Sequence, residues 1–127
     1  ISPSQNELLV LDRGNFRMVR ISLADGKLLH SIPTGRLPFG VTLSLDQKYA
    51  FVANVGMYSY PLVEGTNLLN LKSQYIPYHP YGNDTKESRE GTVIDGKKIP
   101  GLGDPRSDEA MSVFQIDLQT NKIVKKY

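Results

Sequence analysis

The feature that most constrains this chain is an internal repeat. The segment Ser2-Pro-Ser-Gln-Asn-Glu-Leu-Leu-Val-Leu-Asp12 returns as Ser44-Leu-Asp-Gln-Lys-Tyr-Ala-Phe-Val-Ala-Asn54, an offset of 42 residues. Each copy reads as a small polar turn, then an apolar strand, then Asp or Asn. A second pairing sets Arg17-Met-Val-Arg-Ile-Ser-Leu23 against Ser112-Val-Phe-Gln-Ile-Asp-Leu118, an offset of 95. Val19, Ile21 and Leu23 align with Phe114, Ile116 and Leu118, and this period of two is that of a half-buried strand. Tight turns follow, Ala24-Asp25-Gly26 in one copy and Gln119-Thr120-Asn121 in the other. Asp-Gly is a strong hairpin signal. Strands at 27–32 and 122–127 complete the two units, and His30 aligns with Lys125 on that outer, solvent-facing strand.

The offsets differ by 53, which is the length of an insertion between Asn54 and Ser112. The chain is therefore two similar units of about 42 residues, the second interrupted. Four short antiparallel strands in about 40 residues is the size of one β-propeller blade. The expected fold is all-β: a β-propeller fragment of about two four-stranded blades with a long B–C loop insertion, B and C being the second and third strands of a blade. Blade one is expected at 1–32, blade two at 40–55 and 111–127, and an inserted cap loop at 56–110.

Gly35-Arg-Leu-Pro38-Phe-Gly40-Val-Thr-Leu-Ser-Leu-Asp46-Gln-Lys-Tyr-Ala-Phe-Val-Ala-Asn54 resembles the YVTN repeat of bacterial and archaeal surface-layer and lactonase-like propellers. That repeat runs Gly-x-x-Pro-x-Gly, a strand, a Ser-Pro-Asp-Gly-Lys turn, then Tyr-Val-Thr-Asn. The stretch from Val19 to Ile32 resembles the family's strand–turn–strand, so the likeness covers about 75 residues. Gln47 departs from the usual Gly, and Val-Ala-Asn from Val-Thr-Asn. Within the insertion, Ala53 to Tyr60, Ser88-Arg-Glu-Gly91 and Val93 to Pro105 resemble a bacterial subgroup whose propeller is fused to an alkaline-phosphatase-like domain. None of that domain's metal-binding or nucleophile motifs stands in this chain. The resemblance implies an extracytoplasmic (periplasmic or cell-surface) protein. It also implies as partners the remaining blades of the same protein and a C-terminal phosphatase-like domain.

Composition removes several alternatives. There is no Cys, which excludes disulfides, thiolate zinc sites and a cysteine nucleophile. Lys+Arg is 15 and Asp+Glu is 13, with no clustered basic stripe, so no nucleic-acid partner is expected. Apolar runs such as Leu8 to Leu11 are only four or five residues long, so no membrane-spanning helix is expected. The chain of 127 residues starts at Ile1, and two blades fall short of any closed propeller, so it is expected to be a piece of a longer protein. Two blades alone expose apolar faces, and the isolated monomer is expected to aggregate or to be only partly ordered.

In a blade, connections alternate between two ends. The turns at 24–26, 45–47 and 119–121 are minimal. The other end receives Arg13-Gly14-Asn15, the crossover 33–39 and the whole insertion, so it is the expected binding face. The insertion holds five of the seven Tyr, five of the eight Pro and seven of the eleven Gly. An ordered cap is favoured over a floppy tether. A small Asp-Gly hairpin is expected at 92–99, and a short helix or turn at Leu68, Leu69 and Leu71.

The candidate ligand-binding residues are Arg13, Asn15, Arg36, Phe39, Tyr58, Tyr60, His79 and Arg89. Arg13 and Arg36 can take a carboxylate or phosphate, or stand as solvated loop charges. Tyr58, Tyr60, Tyr75, Tyr78 and Tyr81 can line a sugar or peptide site, or anchor a loop poor in aliphatic residues; the second reading is favoured. His79, in Tyr78-His-Pro-Tyr81, is a lone imidazole, and with His30 it does not make a zinc site. Asn54 more naturally ties its turn than contacts a ligand. Asn83-Asp84-Thr85 fits a glycosylation sequon and is taken as chance. Asp84, Glu87, Glu90, Asp95, Asp104, Asp108 and Glu109 offer oxygen ligands for Ca²⁺, but without the spacing of a calcium loop. No cofactor, resident metal or catalytic residue is assigned. There is no Gly-x-Ser-x-Gly, phosphate-cradling loop or zinc-protease motif. The expected function is a ligand- or partner-binding scaffold module. The alternative is the propeller part of a hydrolase, either lactonase-like or fused to a phosphoesterase.

Overall fold

The computed structural model describes residues 1–2, 6–67, 69 and 84–127. They form nine strands, all paired antiparallel, and one short helix. The strands fall into two compact units, one of Ile1–Met57 with Arg106–Tyr127 and one of Tyr58–Pro105.

In the first unit, β1 (Glu7–Asp12), β2 (Arg17–Ser22) and β3 (Leu28–Pro33) make one sheet in that order. A second sheet runs β4 (Pro38–Leu43), β5 (Tyr49–Asn54), β8 (Ser112–Asp117), β9 (Lys122–Lys126). Strands β6 (Gly91–Ile94) and β7 (Lys97–Pro100) belong to the other unit. The repeat is reproduced pair by pair. In the first sheet Glu7 faces Ser22 and Asp12 faces Arg17. Adding 42 on β1 and 95 on β2 gives Tyr49 facing Asp117 and Asn54 facing Ser112, which are the pairs of the second sheet. The irregularities repeat as well. Arg20 faces His30 while Ile21 faces Leu28, so Leu29 is the extra residue of a β-bulge. Gln115 faces Lys125 while Ile116 faces Ile123, leaving Val124 in the same place.

Turn chemistry explains this agreement. Gly26 and Asn121 occupy equivalent turn positions, with φ of 71° and 58°. Gly and Asn are the residues that reach that left-handed region most readily. The Ser44 amide donates to the Tyr49 carbonyl at 2.9 Å, as the Ser2 amide does to the Glu7 carbonyl at 2.8 Å. Gln47 departs from the usual Gly and still takes φ 56°. The sheets differ at one edge: β4 lies beside β5, and among the described residues no strand lies beside β1 in that position.

The core lies between the sheets. Leu9, Met18 and Ile32 of the first pack on Ala50, Val52, Ile116 and Leu118 of the second, with Leu11, Val41, Leu43 and Ile123 at the margins. Each fully buried aliphatic side chain contributes about 1.5–3 kcal/mol. Different faces meet. By the repeat offsets, Leu9 corresponds to Phe51, whereas its neighbours Ala50 and Val52 correspond to Leu8 and Val10. The sheets are therefore stacked front to back.

Arg20 crosses this core, 5% exposed. It pairs with Glu7 at 2.7 Å and donates to the Leu118 carbonyl and to Asn121 Oδ1 of the second sheet. Burying a guanidinium is tolerable only where such acceptors surround it.

In the second unit, α1 (Lys86–Glu90) runs into β6 (Gly91–Ile94), which pairs with β7 (Lys97–Pro100). Thr85 caps the helix: its side chain accepts from the Ser88 amide, and the Ser88 hydroxyl accepts from the Thr85 amide. Asp95 and Gly96, at φ 49° and 74°, make the hairpin turn expected from the Asp-Gly pair. Ile99 and Leu102 are buried, at 0% and 2% exposure. Ser59 ties to the Leu102 carbonyl through its amide (2.9 Å) and its hydroxyl (3.0 Å). Leu68, Leu71, Tyr75, Tyr78, His79, Tyr81 and Asn83 lie outside the described residues.

Candidate functional site

One end of the first unit gathers its long connections. The Thr34 amide donates to the Phe16 carbonyl at 2.8 Å, joining the crossover to the β1–β2 turn. The Arg36 amide donates to the Glu109 carbonyl, and the Arg36 carbonyl accepts from the Gly56 amide. The crossover is thereby stitched to both roots of the insertion. Gly35 permits this approach. A Cβ there would sit 2.6 Å from the Glu109 carbonyl oxygen and 2.7 Å from the Asn54 side chain.

Arg36 is buried within this junction at 7% exposure, so it is not a solvated loop charge. Its guanidinium donates to the Met57 carbonyl and lies 3.9 Å from a Glu109 carboxylate oxygen. Asn54, 2% exposed, donates to the Ser112 hydroxyl at 3.3 Å and to the Val52 carbonyl at 3.4 Å. Its Oδ1 is buried without a partner among the described residues.

Outside the junction, Arg13 and Phe39 come together. The Arg13 guanidinium lies 5.4 Å from the Phe39 ring centroid, a cation–π contact between residues 26 positions apart. Phe39 is 65% exposed. It is the extra residue where Pro38 faces Asn54 but Gly40 faces Ala53, a bulge that turns its side chain out of the sheet. The preceding Leu37 has φ 50°, which fixes the chain path into the bulge. Asn15 binds Asp12 through its amide (3.2 Å) and its side-chain nitrogen (2.8 Å), and Arg17 pairs with the same carboxylate at 2.8 Å. These contacts, Asn15 first, hold the Asp12 carboxyl below its ordinary 3.8. The turn carrying Arg13 is therefore rigidly tied. An exposed cation stacked on an exposed ring offers a flat apolar surface beside a charge that takes carboxylate or phosphate oxygens.

The remaining candidates belong to the second unit. Tyr58 and Tyr60 meet edge to face, centroids 6.1 Å apart. Arg89 pairs with Asp84 at 2.8 Å. His79 lies outside the described residues. Among the described residues no three His, Cys, Asp or Glu side chains are grouped to hold a metal ion. Several acidic candidates are committed elsewhere, Asp108 to Lys126 at 2.8 Å and Glu109 to Arg36.

The structural roles of Arg20 and Arg36 were not evident from sequence. The available signal was an Arg flanked by Val19 and Ile21 in a central strand, a position where a charge needs a partner on either face. No family model matches the chain, and a search of curated proteins found no match.

Proposed function

We propose that this chain is a ligand- or partner-binding scaffold module of a YVTN-type β-propeller. In this reading the protein is extracytoplasmic, and it binds at the end that carries the long connections. The observation that carries the reading is the pair-by-pair register agreement of two front-to-back stacked sheets. Stacking of small antiparallel sheets in one rotational sense is how a propeller is built. The strand order β4-β5-β8-β9 has the sequential connectivity of one blade. The further blades of the parent protein are the partners this reading requires. The Arg13–Phe39 pair marks the binding end, and an acidic group next to a flat apolar ring or sugar face is the chemistry it fits.

The test uses labelled 127-residue chain on arrays of acidic and neutral oligosaccharides and peptides. Acidic spots are expected to bind, with at least tenfold loss in Arg13→Ala and in Phe39→Ala. Leu45→Ala and Gln119→Ala, at the opposite turns, are expected to bind as the parent does. Equal loss in all four variants, or no binding on any spot, overturns the reading.

A further inference from the structure

The offsets of 42 and 95 assign each sheet face a counterpart in the other copy. The first sheet's face made by Leu9, Leu11, Met18 and Arg20 is covered by the second sheet. Its counterparts are Phe51, Ala53, Val113 and Gln115, on the open face of the second sheet. With Gly40 and Thr42, Phe51, Ala53 and Val113 line an apolar groove of about 390 Å³. The converse also holds. Ala50, Val52, Ile116 and Leu118 are covered, at 0–2% exposure. Their counterparts Leu8, Val10, Ile21 and Leu23 form the other face of the first sheet, where Leu23 is 44% exposed.

We propose that these two open faces fit each other, so that a second copy of this chain seats its Leu8/Val10/Ile21 face in the Phe51/Val113 groove. The existing sheet-on-sheet interface specifies this occupant, because each side of the new contact repeats one side of the old. The apolar character is kept across the exchange while sizes change: Phe51, Ala53 and Val113 stand for Leu9, Leu11 and Met18 on one side, and Leu8 and Val19 for Ala50 and Phe114 on the other. The polar anchor also has a counterpart. Arg20 donates to the Leu118 carbonyl. Gln115 takes the place of Arg20 and Leu23 that of Leu118, so a donor–carbonyl pair recurs, while Glu7 and Asn121 are replaced by Tyr49 and Gly26. The Gln115 Oε1 already accepts from Tyr127 at 2.9 Å, which directs its amide nitrogen to donate. The contact joins unlike faces, so it is heterologous and propagates through further copies. It rests on the repeat equivalence alone. Whether the assembly closes into a disc or stays open bears only on the propeller reading.

The test is sedimentation velocity of the full chain over a hundredfold concentration range. The parent chain is expected to grow in mass beyond the 14.2 kDa monomer and beyond the dimer. Phe51→Asp blocks the groove and Ile21→Asp blocks the opposite face, so each alone is expected to be monomeric. Mixed in equal amounts they are expected to form a 1:1 dimer and stop, binding at least a hundredfold more tightly than either binds itself. Val113→Lys and Val10→Lys form a second pair, used if near-ultraviolet circular dichroism shows either first variant misfolded. A monomeric parent chain overturns the proposal. So does a mixture that stays monomeric, or one blocked variant that still self-associates, which indicates like-to-like pairing.

Discussion

The two copies of the repeat share two strand pairings and a bulge, yet equivalent positions meet different surroundings. Ile116 is fully buried between the sheets, while its counterpart Ile21 is only half-buried. Arg20 is a buried, ion-paired strut, and its counterpart Gln115 is a half-exposed neutral amide. Register is therefore set locally, by turn residues and strand pattern, whereas the contribution of each side chain is set by which face is covered. Neither copy can be understood alone.

The largest effect expected from this contrast is at Arg20. Arg20→Ala strands Glu7 in the interior and is expected to cost about 3–5 kcal/mol. Gln115→Ala is expected to stay within about 0.5 kcal/mol. Urea unfolding at one fixed protein concentration measures both, and equal losses would remove the asymmetry between the copies. Next comes the aliphatic pair. Ile116→Ala opens a cavity and is expected to cost about 2–5 kcal/mol, whereas Ile21→Ala, measured where the chain is monomeric, is expected to cost less than about 1 kcal/mol. Similar values would mean that the first sheet's second face is covered after all.

The smallest effect concerns the turns. Asp117 accepts from the Thr120 and Gln119 amides, both at 2.8 Å. These bonds, that of Thr120 first, lower its carboxyl from 3.8. At the equivalent position Ser22 accepts from the Ala24 amide at 3.2 Å and does not titrate in this range. Asp25 and Asp46 are lowered too, chiefly by Lys27 and Ser44 respectively. A depressed folded pKa means the unfolded chain binds protons first as the solution is acidified. The stabilisation is complete above the unfolded value, about 3.9, and is lost as pH falls through the depressed one. The thermal midpoint is expected to hold from pH 7 to about 5 and to fall below about 4. Asp117→Ser is expected to flatten that fall while keeping the turn. An unchanged acid limb would show that this carboxylate contributes nothing to it.

Much of the sheet architecture was legible in the sequence, for a physical reason. Turn positions with positive φ select Gly or Asn, as at Gly26 and Asn121, and alternating strands between them have one register that keeps Val19 and Ile21 together. The Asp95-Gly96 hairpin was legible in the same way. What escaped was set by long-range contact. The helix Lys86–Glu90 is five residues long, too short to show a 3.6-residue period, and its cap is a local Thr85–Ser88 exchange. Arg36 reads as a loop charge because its acceptors, Met57 and Glu109, are 21 and 73 residues away. The Arg13–Phe39 contact depends on a bulge that strand alternation does not announce.

The bulges at Leu29 and Val124 bear on how such a chain avoids misassembly. Both lie on border strands, β3 and β9, whose far sides have no neighbour among the described residues. A flat border invites another backbone to zip alongside it, the route to fibrils. Here each border is broken by an extra residue, and β9 carries Lys122, Lys125 and Lys126 within five residues. Charge and twist together deter lateral zipping. They leave stacking, in which side chains decide who fits, as the way for these sheets to meet.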